Sequence, residues 1–336
     1  MFMEWWHLLF VIFGAVCLLM MSGIPIAFAF LTVNWVYFFF LLEGFSSIDM
    51  FILSLLHSNY SFTLIAIPMF LLMGEILFRS GVALKAIDTL DLFIGKMPGR
   101  LCYLVSATGV LFASVSGSCM ANTALFGSIF PPEMEKKGYH KSMIFGSILG
   151  VGGLAMLIPP STVAVLYSSI AQISVGAVLL GGAVPGLVLA TLYVIQILIR
   201  VKINPDLAPP YEIDRKISTN TKIKAFITDI LPLAVVIFAV VGTIIIGIAT
   251  PSEAAALGAL AAMLIALFNK KLNMQLIKES LTNSFKNTGT ILIILAGTIG
   301  FGQMMAYSGI VSNLVQFATK FDVNPLFIVF IMQIIV

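Results

Sequence analysis

Apolar runs close to the ~20 residues needed to cross a bilayer recur along almost the whole chain. They leave little sequence for a water-soluble core. Hydrophobic residues make up 60% of the 336 positions and charged residues 10%, with a mean hydropathy of +1.08. Soluble domains of this size do not have that balance. Strand-type alternation is absent, so the fold class is an all-α integral membrane protein rather than a barrel. The opening stretch "MFMEWWHLLFVIFGAVCLLMM" has Glu4, no Lys or Arg ahead of the apolar run, and no small-residue cleavage site after it. It reads as a first span anchored by Trp5 and Trp6, not as a signal peptide. Cys17, Cys102 and Cys119 lie in apolar segments with neither metal nor disulfide spacing. No nucleotide-binding loop, HExxH or Ser/His/Asp grouping is present, so nothing points to an enzyme.

Spans are expected at about 5–22, 26–42, 60–78, 142–170, 177–199, 229–247, 254–268 and 287–306, with a further apolar run over 325–336. With the N-terminus outside, the inside loops hold Arg79, Lys85, Lys96 and Arg100, then Lys136, Lys137 and Lys141. Two later loops hold Arg200, Lys202, Arg215, Lys216, Lys222 and Lys224, then Lys270, Lys271, Lys278 and Lys286. Of the 18 Lys and Arg, this leaves only Lys320 outside, where Glu43, Asp49 and Asp322 also fall. Such asymmetry is the positive-inside signature and sets the orientation. It also accounts for the basic pI near 8.7 without invoking nucleic acid. The count holds only if 98–131 enters and leaves on the same side. That segment is therefore expected to be a re-entrant hairpin, since a single crossing would reverse every later loop.

The chain also resembles itself. "EWWHLLFVIFGAVCLLMMSGIPIAFAF" aligns with "DILPLAVVIFAVVGTIIIGIATPSEAAAL", placing Pro25 on Pro251. "FRSGVALKAIDTLDLF" aligns with "AYSGIVSNLVQFATKF", placing Gly81 on Gly309. The offsets are 226 and 228. The first copy starts outside and the second inside, so they are inverted repeats, a common architecture of secondary transporters. The expected organisation is a first repeat over 1–200, a cytoplasmic linker over 201–228, and an incomplete second repeat over 229–336. Within the first repeat lie an interfacial arm over 79–97, the hairpin over 98–131 and a broken span over 142–170. At an offset of 228, Val336 falls opposite residue 108, short of the polar segment described next. The repeat thus predicts a truncated chain that does not transport by itself.

Two segments carry chemistry. "SVSGSCMANTALFG" (114–127) crowds Ser114, Ser116, Gly117, Ser118, Asn122 and Thr123 into an otherwise apolar region. Gly117 can break the helix, and the freed carbonyls with the Ser, Asn and Thr oxygens form a neutral, hard shell of the kind Na⁺ takes. A helix restarting after Gly117 would aim its N-terminal N–H groups at a substrate carboxylate. A small-residue packing face is the plain alternative. "LGVGGLAMLIPPSTVAVLYSS" places Gly150, Gly152, Gly153, Pro159 and Pro160 in one span. The prolines remove two donors and free upstream carbonyls, so a discontinuous helix is expected, with Ser161 and Thr162 adding hydroxyls. A ligand-free proline kink is the alternative. Gly146 and Gly150 form a GxxxG packing pair. Glu75 and Arg79 are one turn apart and should pair. Glu253, after "TPS", suits a helix first turn. "ALKAIDTLDLFIGK" is an amphipathic interfacial arm, acting as a clamp or lying passively on the membrane.

"IAIPMFLLMGEILFRSGVA", "SVSGSCMANTALFGSIFPPEMEKKGY", "LIPPSTVAVLYS", "GGAVPGL" and "IATPSEAAALGAL" together resemble the large membrane subunit of TRAP (tripartite ATP-independent periplasmic) transporters, from the first span to residue 336. The resemblance implies an inverted-repeat, elevator-type Na⁺ symporter of organic acids in a bacterial inner membrane. It implies two partners, a small four-helix membrane subunit and a periplasmic substrate-binding protein, and it starts too early for the small subunit to be fused in front. It implies a sodium site from Ser114, Ser116, Gly117, Ser118 and Asn122 with the carbonyls of Ala155, Pro159 and Pro160. Members often carry Gly at the position of Ala155. Ser118, Asn122, Ser161 and Thr162 are the expected substrate contacts. The second sodium site and much of the pocket belong to a second hairpin beyond residue 336. Two rival readings are a divalent-anion/sodium symporter-like permease of another inverted-repeat family, which needs no binding protein, and a non-transporting scaffold, which shows no sodium-dependent uptake.

Overall fold

Helix forms wherever the apolar runs require one, because a backbone in lipid must satisfy its own hydrogen bonds. The computed structural model describes residues 4–42, 45–95, 97–210 and 218–319, with positions 326, 327, 330 and 333. Glu43, Lys96, Arg215, Lys216, Lys320 and Asp322 from the charge argument lie outside the described residues, as does most of the apolar run over 325–336. The described residues are all-α, with α1 Trp5–Met21, α2 Ile26–Phe40, α3 Phe45–Asn59, α4 Ala66–Arg79 and α5 Val82–Asp91. Next come α6 Arg100–Ser116, α7 Cys119–Lys136, α8 Lys141–Gly152, α9 Thr162–Ala171 and α10 Val175–Ile203. The chain continues as α11 Thr219–Ile245, which contains two π-helical turns, α12 Pro251–Phe268, α13 Met274–Tyr307 and α14 Ile310–Thr319. Among the described residues, five helices are long and apolar enough to cross a membrane: α4 with its preceding 3-10 turn (Phe62–Arg79), α10, α11, α12 and α13. The protein is a multi-pass membrane protein.

Three expectations change. The segment after residue 43, read as an outside loop, contains α3. Helices α11 and α13 begin at Thr219 and Met274, well before the expected 229 and 287. Hydropathy marks only the apolar part of a helix, and Lys, Glu and Gln extend it at little cost. The hairpin, expected to end at 131, continues as α7 through Pro131 and Pro132 to Lys136.

The chain divides into two compact units, one of Met1–Tyr60 with Gly289–Val336 and one of Ser61–Thr288. The first packs Ile12, Val16, Val33, Tyr37, Phe38 and Phe51 with Met304 and Ile310. Phe38 stacks on Phe51 at 4.9 Å. Buried Asn34 donates from Nδ2 to the Gly297 carbonyl at 2.8 Å.

In the second unit, α4 and α12 pack along each other. Helix α12 offers a small-residue stripe, Ala255, Gly258, Ala259, Ala262 and Ala266, nearly or fully buried. Small residues let membrane helices approach closely, and a Cβ on Gly258 would sit 2.6 Å from Met73 Sδ. Its N-terminus is a capping box: Thr250 N–H donates to Glu253 Oε2 at 2.8 Å and Glu253 N–H to Thr250 Oγ1 at 3.4 Å. At the other end of α4, Arg79 pairs with Glu75 at 3.0 Å and also with Glu279, while Asn283 donates to Glu75 at 3.4 Å.

The arm helix α5 buries Val82, Ala83, Ala86 and Ile87. Its outer end is held by Arg100, almost fully buried, which reaches Asp91 Oδ1 at 2.8 Å. Thr89 donates to Asp229 at 2.8 Å. Burial, and then the Asp91 and Asp229 carboxylates, push the pKa of Asp88 upward.

Helices α6 and α7 fold back on each other, which brings the Phe112 and Phe126 rings to 5.8 Å. Their base is clasped by the 3-10 turn Pro205–Leu207: Gly99 N–H donates to Ala208 O at 3.1 Å and His140 N–H to Leu207 O at 2.9 Å. Helix α4 touches the tip, where a Cβ on Gly74 would lie 2.9 Å from the Ser116 Cα. Two backbones meet there, and neither has a flexible end to yield. Gly74→Ala is therefore expected to destabilise the protein by about 1–2 kcal/mol, with overpacking outweighing the alanine helix preference. Gly146→Ala, with open space at its Cβ, should stabilise by about 0.5–1 kcal/mol. Thermal unfolding of the two variants checks the contrast.

Candidate functional site

Ser116 and Gly117 end α6. Gly117 adopts the left-handed conformation at φ +58°, and its N–H donates to Ala113 O at 3.3 Å. That is a common helix stop, which glycine adopts without strain. Ser118 then swings to an extended backbone and caps α7, its Oγ accepting from Ala121 N–H at 3.3 Å. Ser116 turns inward from the last turn of α6. Its hydroxyl donates to Asn122 Oδ1 at 2.7 Å and accepts from Ser118 N–H at 3.3 Å. Asn122 is fully buried, and its Nδ2 has no hydrogen-bond partner among the described residues.

The second break has the same design. Helix α8 tightens into a 3-10 turn over Gly153–Met156 and then unwinds. The Pro159–Pro160 peptide is cis. Ser161 caps α9 as Ser118 caps α7: its backbone is extended, and its Oγ accepts from Ala164 N–H at 3.3 Å. Its hydroxyl donates to Met156 O at 2.8 Å. The buried carbonyls of Pro159 and Pro160 accept no hydrogen bond from the described residues. Oxygens left in that state are costly unless a water or cation meets them.

The two breaks touch. Thr162 Oγ1 donates to Gly117 O at 2.8 Å, and Thr162 N–H reaches the same oxygen at 3.3 Å. A Cβ on Gly117 would sit 2.9 Å from the Pro160 carbonyl oxygen. Of the residues expected at the site, Ser116, Gly117, Ser118 and Asn122 are thus joined to Pro160, Ser161 and Thr162. Ser114 spends its hydroxyl on Val110 O at 2.8 Å, within its own helix. Ala155 is buried inside the 3-10 turn. Neither is hydrogen-bonded to the cluster. Gly74 was not anticipated; its only signal was a lone glycine in an apolar span. Thr123, whose oxygen was expected in the ligand shell, fits against α8, where a Cβ on Gly152 would meet its Oγ1.

Among the described residues named above, the junction holds hydroxyls, an amide, carbonyls and two helix N-termini, with the Cys119 thiol as its ionisable side chain. Among the described residues, no group of three or more His, Cys, Asp or Glu is placed to hold a metal. Such a site suits a weakly bound monovalent cation and an anion better than a tightly held transition metal.

The DctM component family of the tripartite ATP-independent periplasmic transporters matches residues 13–336. The chain belongs to that family. It is 31% identical over 315 residues to a C4-dicarboxylate TRAP transporter large permease of Rhodobacter capsulatus, covering 89% of this chain and 70% of the relative. It is 29% identical over 284 residues to the protein of that name in Pseudomonas aeruginosa, covering 84% and 65%. It is 25% identical over 318 residues to a sialic acid TRAP transporter large permease of Vibrio cholerae, covering 94% and 73%. As a DctM-family protein it is a transporter permease, not an enzyme, which sets aside the other inverted-repeat families.

Proposed function

We propose that this TRAP permease subunit couples Na⁺ entry to uptake of an organic acid delivered by a periplasmic binding protein. It would act with a small four-helix membrane subunit in a bacterial inner membrane, its N-terminus on the periplasmic side. The observation that carries the reading is the junction of two helix breaks, where the Ser116–Asn122 pair meets buried, unengaged proline carbonyls. Neutral oxygens of this kind replace the hydration shell of Na⁺, and the N-termini of α7 and α9 favour a carboxylate nearby. Binding two or more Na⁺ lowers the cost of bringing the anion to the site. Each net positive charge carried inward gains about 2.3 kcal/mol per 100 mV of membrane potential. The named substrates of the relatives, C4-dicarboxylate and sialic acid, are both carboxylates.

The repeat is part of the same proposal. Gly81 and Gly309, matched by sequence, have φ of +74° and +71°, and each precedes a ten-residue helix, α5 and α14. Inverted repeats of this type support an elevator-like movement of the hairpin-bearing part.

The deciding experiment reconstitutes the permease, together with any sequence that follows Val336, with its small subunit and binding protein in proteoliposomes. Uptake of labelled dicarboxylates and sialic acid is compared under an inward Na⁺ gradient and in choline. Uptake confined to Na⁺ and to vesicles supplied with the binding protein is expected. Equal uptake in choline overturns the sodium coupling, and uptake without the binding protein overturns the tripartite reading.

A further inference from the structure

We infer that Thr162 is a positioning residue for the sodium site, a latch that docks the hairpin tip onto the start of α9. The inference rests on the sodium reading above and changes the parts played by two residues in it. A carbonyl oxygen has two lone pairs. At Gly117 both are engaged by one residue, through Oγ1–H at 2.8 Å and N–H at 3.3 Å. That oxygen has no capacity left for a cation in this conformation. The Thr162 hydroxyl, in turn, has its proton committed and is not free to donate to a substrate carboxylate. Gly117 and Thr162 thus move from ligand and substrate contact to the junction that holds the ligands together.

The two breaks lie on separate helices, and each is shaped by its own chain: Ser118 caps α7 and Ser161 caps α9. Nothing in those local motifs sets the tip against the unwound prolines. Thr162 does, with two hydrogen bonds across 45 residues of sequence. The missing side chain at Gly117 lets the surfaces close, since a Cβ there would meet Pro160 O at 2.9 Å. With the tip seated, the Ser116–Asn122 pair and the Pro159 and Pro160 carbonyls belong to one site. Without the hydroxyl, the longer amide bond is left to hold the tip. The cation must then organise the junction itself, and its apparent affinity falls.

The test uses Thr162→Val, which keeps shape and N–H but loses the hydroxyl, and Thr162→Ser, which keeps the hydroxyl and loses the methyl. Thermal unfolding of the purified chain is followed as NaCl replaces choline chloride at constant ionic strength, giving a half-saturating Na⁺ concentration. The valine variant is expected to raise it by about five- to tenfold, the equivalent of one net hydrogen bond, with serine within about twofold of wild type. A role in packing alone gives the reverse order, with valine normal and serine impaired. A role as substrate contact leaves the Na⁺ response of both variants unchanged. Either result overturns the latch. A wild-type chain with no Na⁺-specific shift is a different failure, one that overturns the sodium reading and this inference with it.

Discussion

Replacing Gly117 by alanine is expected to cost about 2–5 kcal/mol of stability and to abolish the sodium response. Two costs add. A residue with a Cβ in the left-handed region loses roughly 1–2 kcal/mol, and Gly117 sits at φ +58°. The new methyl would also lie 2.9 Å from the Pro160 carbonyl oxygen, a backbone atom without a rotamer to escape into. Overpacking of this kind costs about 1–3 kcal/mol. Relief by moving the tip away from α9 breaks both Thr162 bonds, so even a folded variant loses the junction. Thermal unfolding in Na⁺ and in choline reads both consequences. A Gly117→Ala protein with wild-type unfolding and a wild-type Na⁺ shift would show that the two breaks need not touch.

The second large effect is expected at the Ser116–Asn122 pair. Hydrogen bonds and ligand contacts involving a charge contribute about 1.5–3 kcal/mol each, so removing one oxygen ligand should weaken Na⁺ by about 10- to 150-fold. Asn122→Ala removes the amide and leaves the Ser116 hydroxyl without its acceptor at 2.7 Å. Ser116→Ala leaves Asn122 buried with neither end engaged. Each variant also loses some stability in choline, which is measured separately. The ligand assignment stands on the further loss of the Na⁺-dependent shift. If both variants keep the wild-type half-saturating Na⁺ concentration, the pair is a structural hydrogen bond, and the ion ligands lie elsewhere.

Much of this site was legible in residue order. Gly117 in a run of small polar residues announces a helix break, and the Ser118 cap follows from the preference of serine for that position. Pro159 and Pro160 announce the second break, because they lack the N–H a helix needs. The Glu75–Arg79 pair follows from a spacing of four residues, and the place of Glu253 in a helix first turn from the dipole. Other features were not legible. That Thr162 bonds Gly117 cannot be read from either segment, because nothing local couples positions 45 apart. Gly74 looked like any small residue in a span until α4 was seen against Ser116. Ser114 and Ser116 are alike in sequence, but Ser114 returns its proton to its own helix while Ser116 turns to Asn122. About half a turn of helix separates them, so they face different neighbours, and only the position of the neighbouring chain decides between the two uses.

Membrane class, the apolar part of most helices, and the two breaks follow from composition, spacing and local backbone preference. These are short-range properties: lipid demands closed helices, and proline and glycine interrupt them wherever they stand. The meeting of the breaks was decided by tertiary packing. Closing Gly117 onto Pro160, docking Thr162 on the Gly117 carbonyl and seating α4 beneath the tip depend on helices that reach one another only after folding. The same residue order supplies the oxygens, but their arrangement into one site comes from how closely those backbones approach.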